Sequence, residues 1–243
     1  YTQSLYEKKL VTYPRTDSQY LSDDMEGTAR NVIEAIFNSL LFEQNIMFNP
    51  DVKKALNSKK VTDHHAIIPT MEIVKQDLKA IPESEMKILS LCANRLLCAT
   101  AEKHIYNSTK AELTCNGMVF KVSGKEIWKN GWKDFEDFFK NSYKTSEDKK
   151  DSDDAKKLPE LTEGMTITVE DTRVSEHFTQ PPKHFTEDSL LSAMERAGSE
   201  DMDDDVERKG LGTPATRADI IEKLVKDGFV KREKKQMIPT EDG

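Results

Sequence analysis

The sequence predicts an α+β chain that is mainly helical. Three observations carry this. Two long stretches place apolar residues at spacings of three and four. One central stretch alternates apolar and polar residues on both sides of an Asn-Gly pair. The C-terminal stretch runs helix, helix and then two short alternating segments.

Along the chain, TQSLYEKKL already reads as helical although the first residue is Tyr1, and IPTEDG follows directly on a strand-like run, so both ends are expected to be excisions from a longer protein. Ser22 is the candidate N-cap of the first long helix, with Asp23 and Asp24 in its first turn, where carboxylates favour the helix dipole. Met25, Ala29, Val32, Ile36 and Leu40 give it one apolar face. Pro82 opens a second helix with Met86, Leu89, Ala93 and Leu96 on one side. Between them lies a turn-rich stretch containing VTDHHAIIPT. The period then changes to two. Ala111, Leu113 and Cys115 precede Asn116-Gly117, and Met118, Phe120 and Val122 follow, a hairpin pattern because both turn positions need φ > 0. Met165, Ile167 and Val169 predict a further strand. The run Lys144–Lys157 has five basic and five acidic residues and reads as a solvated loop. Thr186 is the candidate cap of a helix through Leu190, Leu191, Met194 and Ala197, stopped near Gly198. Thr213-Pro214 reads as N-cap and N1 of a helix carrying Ile220, Ile221, Leu224 and Val225, with Gly228 as its stop. FVKREKKQMIPT closes the chain as two short strands, completing a winged-helix pattern.

Composition sets the first bounds on function. No apolar run approaches the roughly 20 residues of a membrane helix, and there is no leader of the secretory kind. The three cysteines, Cys92, Cys98 and Cys115, lack CxxC spacing and give neither a disulfide framework nor a zinc site, which suits a reducing compartment. The formal net charge of −8 argues, on balance alone, against a nucleic-acid partner. Locally the balance reverses. Arg208–Lys235 holds nine basic residues against Asp219, Glu222, Asp227 and Glu233, a net of +5. The acidic excess sits just before it in Glu200–Glu207. Fields decay over about 8–10 Å at physiological salt, so a basic wing can meet phosphates inside an acidic chain. Charge alone equally fits ordinary solvated faces.

The most informative stretch is VTYPRTDS. Pro14 pushes Tyr13 into an extended conformation and is itself stiff, so Tyr13 and Arg15 are held on a rigid segment. A phenol, with a reference pKa of about 10, is a poor nucleophile at neutral pH. A guanidinium nearby favours the phenolate or grips a phosphate in two-pronged fashion. Tyr plus Arg is the minimum set for attack on a phosphodiester. Spacing alone also fits simple packing.

YPRTDS (Tyr13–Ser18), followed by YLSDDM, resembles the active-site motif of the type IA DNA topoisomerases. HHAIIPT (His64–Thr70), FTQPPKHFTEDSLL (Phe178–Leu191) and GLGTPATRADII (Gly210–Ile221) follow in that family's order. The wording is nearest to the topoisomerase III branch, and the resemblance covers essentially the whole chain. It implies that Tyr13 attacks single-stranded DNA to form a 5′-phosphotyrosine and a free 3′-hydroxyl. A strand then passes, and the break is resealed without ATP. Arg15 would position the scissile phosphate, Thr12 would flank the nucleophile near the DNA backbone, and Asp17 would brace the loop. His64, Thr216 and Arg217 would contact DNA, whereas His65 has no such support. One departure stands out: the bacterial topoisomerase I branch carries an arginine where this chain has Asp227.

The resemblance also implies the architecture. Residues 1–104 would be the gate domain with the tyrosine, itself related to winged helices. Residues 105–178 would be a segment of the β-rich arch, and 179–243 an incomplete winged-helix-like segment that grips the strand. Mg²⁺ is expected for the full-length enzyme, its ligands lying before Tyr1. DMDDD and DSDD lack the glycine of the family's D-x-D-x-x-G and read as loops, so no metal ligand is assigned and the fragment alone is expected to be inactive. The implied partner is single-stranded DNA, without a membrane, in a cytoplasmic, nucleoid-associated setting. The runner-up reading is a non-catalytic winged-helix module that binds single-stranded DNA. A purely structural interaction domain is a third.

Overall fold

The computed structural model describes residues 1–42, 48–61, 63–143, 158–198 and 210–243. The charged run 144–157, with its DSDD, and the acidic run 199–207, with its DMDDD, lie outside the described residues. The chain divides into two compact units, Tyr1–Thr168 and Val169–Gly243.

The first unit is built on α1 (Thr2–Glu7), α2 (Glu26–Phe37) and α3 (Glu83–Thr100). Their apolar faces merge in one core. Leu5 comes from α1; Ala29, Val32, Ile33 and Ile36 from α2; Leu89, Ala93, Leu96 and Leu97 from α3. The start of α2 differs from the expectation. Ser22 makes no cap bond, and a 3-10 turn over Asp23–Met25 precedes the helix. The Asp23 N–H donates instead to Ser58 Oγ at 2.8 Å, so a distant hydroxyl does the work assigned to Ser22. α2 also stops before Leu40, which is exposed. Pro82 stands one position ahead of α3, its carbonyl accepting the Met86 N–H at 2.9 Å.

β1 (Ile105–Cys115) and β2 (Met118–Lys129) form the expected antiparallel hairpin. Asn116 and Gly117 both take positive φ, 48° and 81°. The pairs Ala111↔Val122, Leu113↔Phe120 and Cys115↔Met118 share one face. Met118 and Phe120 are nonetheless exposed, as are Val119 on the other face and Trp128 at the register shift near the end of β2. At its base the hairpin joins the core. The Trp132 N–H donates to the Glu102 carbonyl at 2.9 Å, and Lys129 pairs with Glu102. Gly131 is required there, with φ 58° and the carbonyl of Lys103 2.4 Å from where a Cβ would sit. A fourth helix, α4 (Lys133–Ser142), follows; the alternating pattern around it gave no hint of it. Phe135 is buried against Phe48 at 4.8 Å, and Phe138 meets Phe42 at 4.6 Å between ring centroids. The strand expected over Met165–Val169 is not formed; all three apolar residues are exposed, and no neighbouring chain pairs with them among the described residues. A lone extended segment has no ladder to satisfy its backbone.

The second unit holds α5 (Glu187–Arg196), α6 (Arg217–Lys226) and the hairpin β3 (Val230–Glu233) and β4 (Gln236–Pro239). Thr186 caps α5 as expected, in a reciprocal capping box with Ser189. The Thr213 turn forms, but regular helix begins only at Arg217. The Thr213 carbonyl accepts from both the Thr216 and Arg217 N–H groups at 3.0 Å, a tightened 3-10-like first turn. Gly228, at φ 83°, ends α6. Its own N–H reaches Val225 and that of Phe229 reaches Leu224, the bonding pattern of a Schellman motif. Arg232 on β3 bridges Glu187 of α5 (2.7 Å) and Glu222 of α6 (2.6 Å), tying the hairpin to both helices. Ile221 and Met237 are its buried apolar anchors.

Candidate active site

Tyr13 lies on an irregular segment, bent at Thr12 and Pro14, that leaves α1 through a reversal at Lys9, a non-glycine residue with positive φ (61°). The segment is zipped to the stretch that carries His64. The Thr12 N–H donates to the Ile68 carbonyl and the Thr70 N–H to the Leu10 carbonyl, each at 3.0 Å, around a Val11↔Pro69 bridge. Thr12 Oγ1 accepts the Ile68 N–H at 3.0 Å and donates weakly to the Ala66 carbonyl at 3.4 Å. Val11, Ile68 and Pro69 are buried, so this short ladder stands on the core.

The rest of the motif is fixed by its own hydroxyls. Thr16 Oγ1 donates to the His64 carbonyl at 2.7 Å and accepts the Ser18 N–H at 3.0 Å. Ser18 Oγ donates to the Lys60 carbonyl at 2.9 Å, and the Ala66 N–H donates to the Tyr20 carbonyl at 2.8 Å. The Lys60 ammonium lies 4.9 Å from the centre of the Tyr20 ring. These bonds bring His64 to Tyr13. Their ring centroids are 4.4 Å apart at a 50° tilt, and Tyr6 of α1 meets Tyr13 nearly edge-to-face at 5.4 Å and 81°. Arg15, two residues on, is exposed and makes no ion pair among the described residues. Tyr13, Thr12 and the His64 stretch are thus brought together, with Arg15 two residues along the same segment. His65 turns into its own backbone, with Nδ1 2.8 Å from the Ala66 carbonyl.

Sequence reasoning missed Tyr6, Thr16 and Ser18. The helical spacing of α1 held no signal that Tyr6 would meet Tyr13, because the chain reverses between them. The two hydroxyls inside the motif could have been weighed, since Thr and Ser two apart commonly bond their own backbone.

Thr216 and Arg217 belong to the second unit. Thr216 Oγ1 accepts the Thr213 N–H at 2.9 Å, within the turn that starts α6. Arg217 is buried, only 8% exposed, and donates to the carbonyls of Leu211 (3.1 Å) and Gly212 (3.3 Å). Its side chain braces the Gly210–Thr213 loop. Asp227 is the C-terminal cap of α6. Among the described residues no group of three or more His, Cys, Asp or Glu is placed to hold a metal ion, so the expected Mg²⁺ finds no fitting set in them. No helix among the described residues is long and apolar enough to cross a membrane.

The Tyr13 segment thus packs on His64, and comparison with known proteins shows the family to which the chain belongs. A family model described as DNA topoisomerase matches residues 1–243. The chain is 36% identical over 256 residues to DNA topoisomerase 3 of Bacillus licheniformis, covering 99% of this chain and 34% of that protein. It is 34% identical to DNA topoisomerase 3 of Bacillus subtilis, again over 99% of this chain. With DNA topoisomerase 3 of Vibrio cholerae it shares 34% identity over 250 residues, which is 37% of that relative. The chain therefore spans about a third of the length of the curated relatives it matches, and across its own length it belongs to the DNA topoisomerase family.

Proposed function

We propose that this chain is the nucleophile-bearing part of a type IA DNA topoisomerase acting on single-stranded DNA. The observation that carries the reading is the Tyr13 cluster: a half-buried tyrosine packed on His64 and held on a stiff segment two residues from an exposed arginine. Tyr13 Oη attacks the phosphorus, the bond from phosphorus to the 3′-oxygen breaks, and a 5′-phosphotyrosine forms. The phenolic proton is lost, and the departing 3′-oxygen takes up one proton. Religation is the reverse, so the bond energy is conserved and no nucleotide is hydrolysed. The Arg15 guanidinium pairs with the non-bridging phosphate oxygens as charge builds on them. The weakly held proton of the Thr12 hydroxyl turns toward the adjacent DNA backbone, and His64 contacts DNA beside the nucleophile. The whole-length enzyme uses Mg²⁺, for which the described residues of this chain offer no fitting set of ligands.

The same reading assigns residues 1–104 to the gate domain, 105–178 to a segment of the β-rich arch, and 179–243 to a winged-helix-like part that grips the strand. The order α5, α6, β3, β4 supports the last. Thr216, at the start of α6, offers its hydroxyl to a phosphate. Arg217 contributes by shaping the loop before it, and the setting is the cytoplasmic nucleoid.

The test is covalent capture. A whole-length protein carrying this sequence is incubated with 3′-end-labelled single-stranded DNA and quenched with detergent. The wild type is expected to carry label, and Tyr13→Phe to bind DNA but carry none. Label on Tyr13→Phe would remove the nucleophile assignment. DNA binding without any adduct in the wild type would favour a non-catalytic binding module.

A further inference from the structure

Resting on that reading, we infer that Tyr6 is a positioning residue for the Tyr13 nucleophile. In-line attack needs the phenol oxygen aimed at phosphorus, and a tyrosine ring is free to swing about two side-chain torsions unless something stops it. His64 lies against the Tyr13 ring, with centroids 4.4 Å apart. That contact alone still leaves the ring free to slide and swing away. Tyr6 closes the gap, meeting Tyr13 edge-to-face at 5.4 Å and 81°. The two walls stand on different backbones, α1 on one side and the His64 stretch on the other.

The Tyr6 wall is rigid. Leu5, its neighbour, is wholly buried in the core. Ser4 Oγ donates to Glu85 of α3 at 3.0 Å, and Lys8 pairs with the same carboxylate. The Leu10 N–H closes the end of α1 onto the Leu5 carbonyl at 2.9 Å. Tyr6 itself is 38% exposed, so it carries little of the core and its ring is kept at the mouth of the site. A T-shaped aromatic pair biases ring orientation by an amount that corresponds to roughly two- to tenfold in population.

The experiment is single-turnover cleavage in the same whole-length protein, with an oligonucleotide whose short 5′-side product, ending in the free 3′-hydroxyl, diffuses away. Rate and end-point of adduct are read separately, beside the dissociation constant for the uncleaved strand. Tyr6→Leu and Tyr6→Met are expected to slow adduct formation roughly three- to tenfold. End-point and DNA affinity should stay within twofold of wild type. Tyr6→Phe, which keeps the ring, should restore the wild-type rate. A merely structural role would lower the end-point and the melting temperature and leave the rate of the surviving fraction unchanged, which overturns the inference. So does a slow Tyr6→Phe, which would assign the effect to the hydroxyl. Wild-type rates in both Leu and Met variants, with an adduct that still depends on Tyr13, overturn the Tyr6 role alone. Loss of the Tyr13 dependence overturns both this role and the proposed function.

Discussion

Thr12→Val isolates the hydroxyl that joins the Tyr13 segment to the His64 stretch. The two side chains have nearly the same shape, so no cavity is opened. What is lost is the acceptor for the Ile68 N–H, 3.0 Å from Thr12 Oγ1 beside a residue only 3% exposed. The Ala66 carbonyl, the other partner, keeps a contact with His65 Nδ1 at 2.8 Å. One buried N–H without a partner costs about 1–3 kcal/mol. For a chain of this length each kcal/mol corresponds to a shift of roughly 2–4 °C in melting temperature, so about 2 kcal/mol gives about 4–8 °C. Urea unfolding should show a lower midpoint at an unchanged slope. Hydrogen exchange should show faster exchange at the Ile68 amide than at amides of α3. Thr12→Ser keeps the hydroxyl and should retain that protection. A Thr12→Val protein within about 0.5 kcal/mol of wild type, with the Ile68 amide still protected, would refute the assignment of this bond.

Other consequences follow from the same contacts. Burial pushes the Cys92 and Cys98 thiols up to about 11, so at pH 8 iodoacetamide should label exposed Cys115 first and leave those two slow until the protein is unfolded. The hydrogen bond from Lys8, with a second from Ser4, holds the Glu85 carboxyl below its ordinary value of 4.5. The stabilising effect is therefore full above that value and is lost as pH falls through the lower, folded-state value. The difference in melting temperature between wild type and Glu85→Gln should be present at pH 7 and vanish in acid. Gly210 sits at φ 63° with the carbonyl oxygens of Met194 and Glu195 2.4 Å from where a Cβ would be. Gly210→Ala should destabilise the second unit by more than about 1 kcal/mol, read as earlier loss of amide protection in α5.

Much of the local structure was legible because it depends on neighbours in sequence. Asn116-Gly117 set the hairpin, since a turn with two positive φ angles has few other solutions. The capping box at Thr186 and the glycine stop at Gly228 are likewise local bonding patterns. Expectations failed where a distant partner intervened. Ser58 replaced Ser22 at the start of α2. The Met165–Val169 alternation lacked a strand to pair with. Helix α4 took its reason from an aromatic cluster drawn from three stretches of chain, which no window of sequence displays.

For the proposed site, the motif itself could be read from the chain. Tyr13, Arg15 and the proline between them are contiguous, so their stiffness and charge are carried by the chain alone. How the tyrosine is held depends on contacts across the fold. His64 reaches it through a ladder across more than fifty residues, and Tyr6 through a chain reversal at Lys9. The tertiary structure also decided that Arg217 turns inward to loop carbonyls while Arg15 stays exposed, a difference that burial sets and residue type does not. A covalent neighbour is fixed when the chain is made, whereas a contact across the fold exists only once the core beneath it has formed.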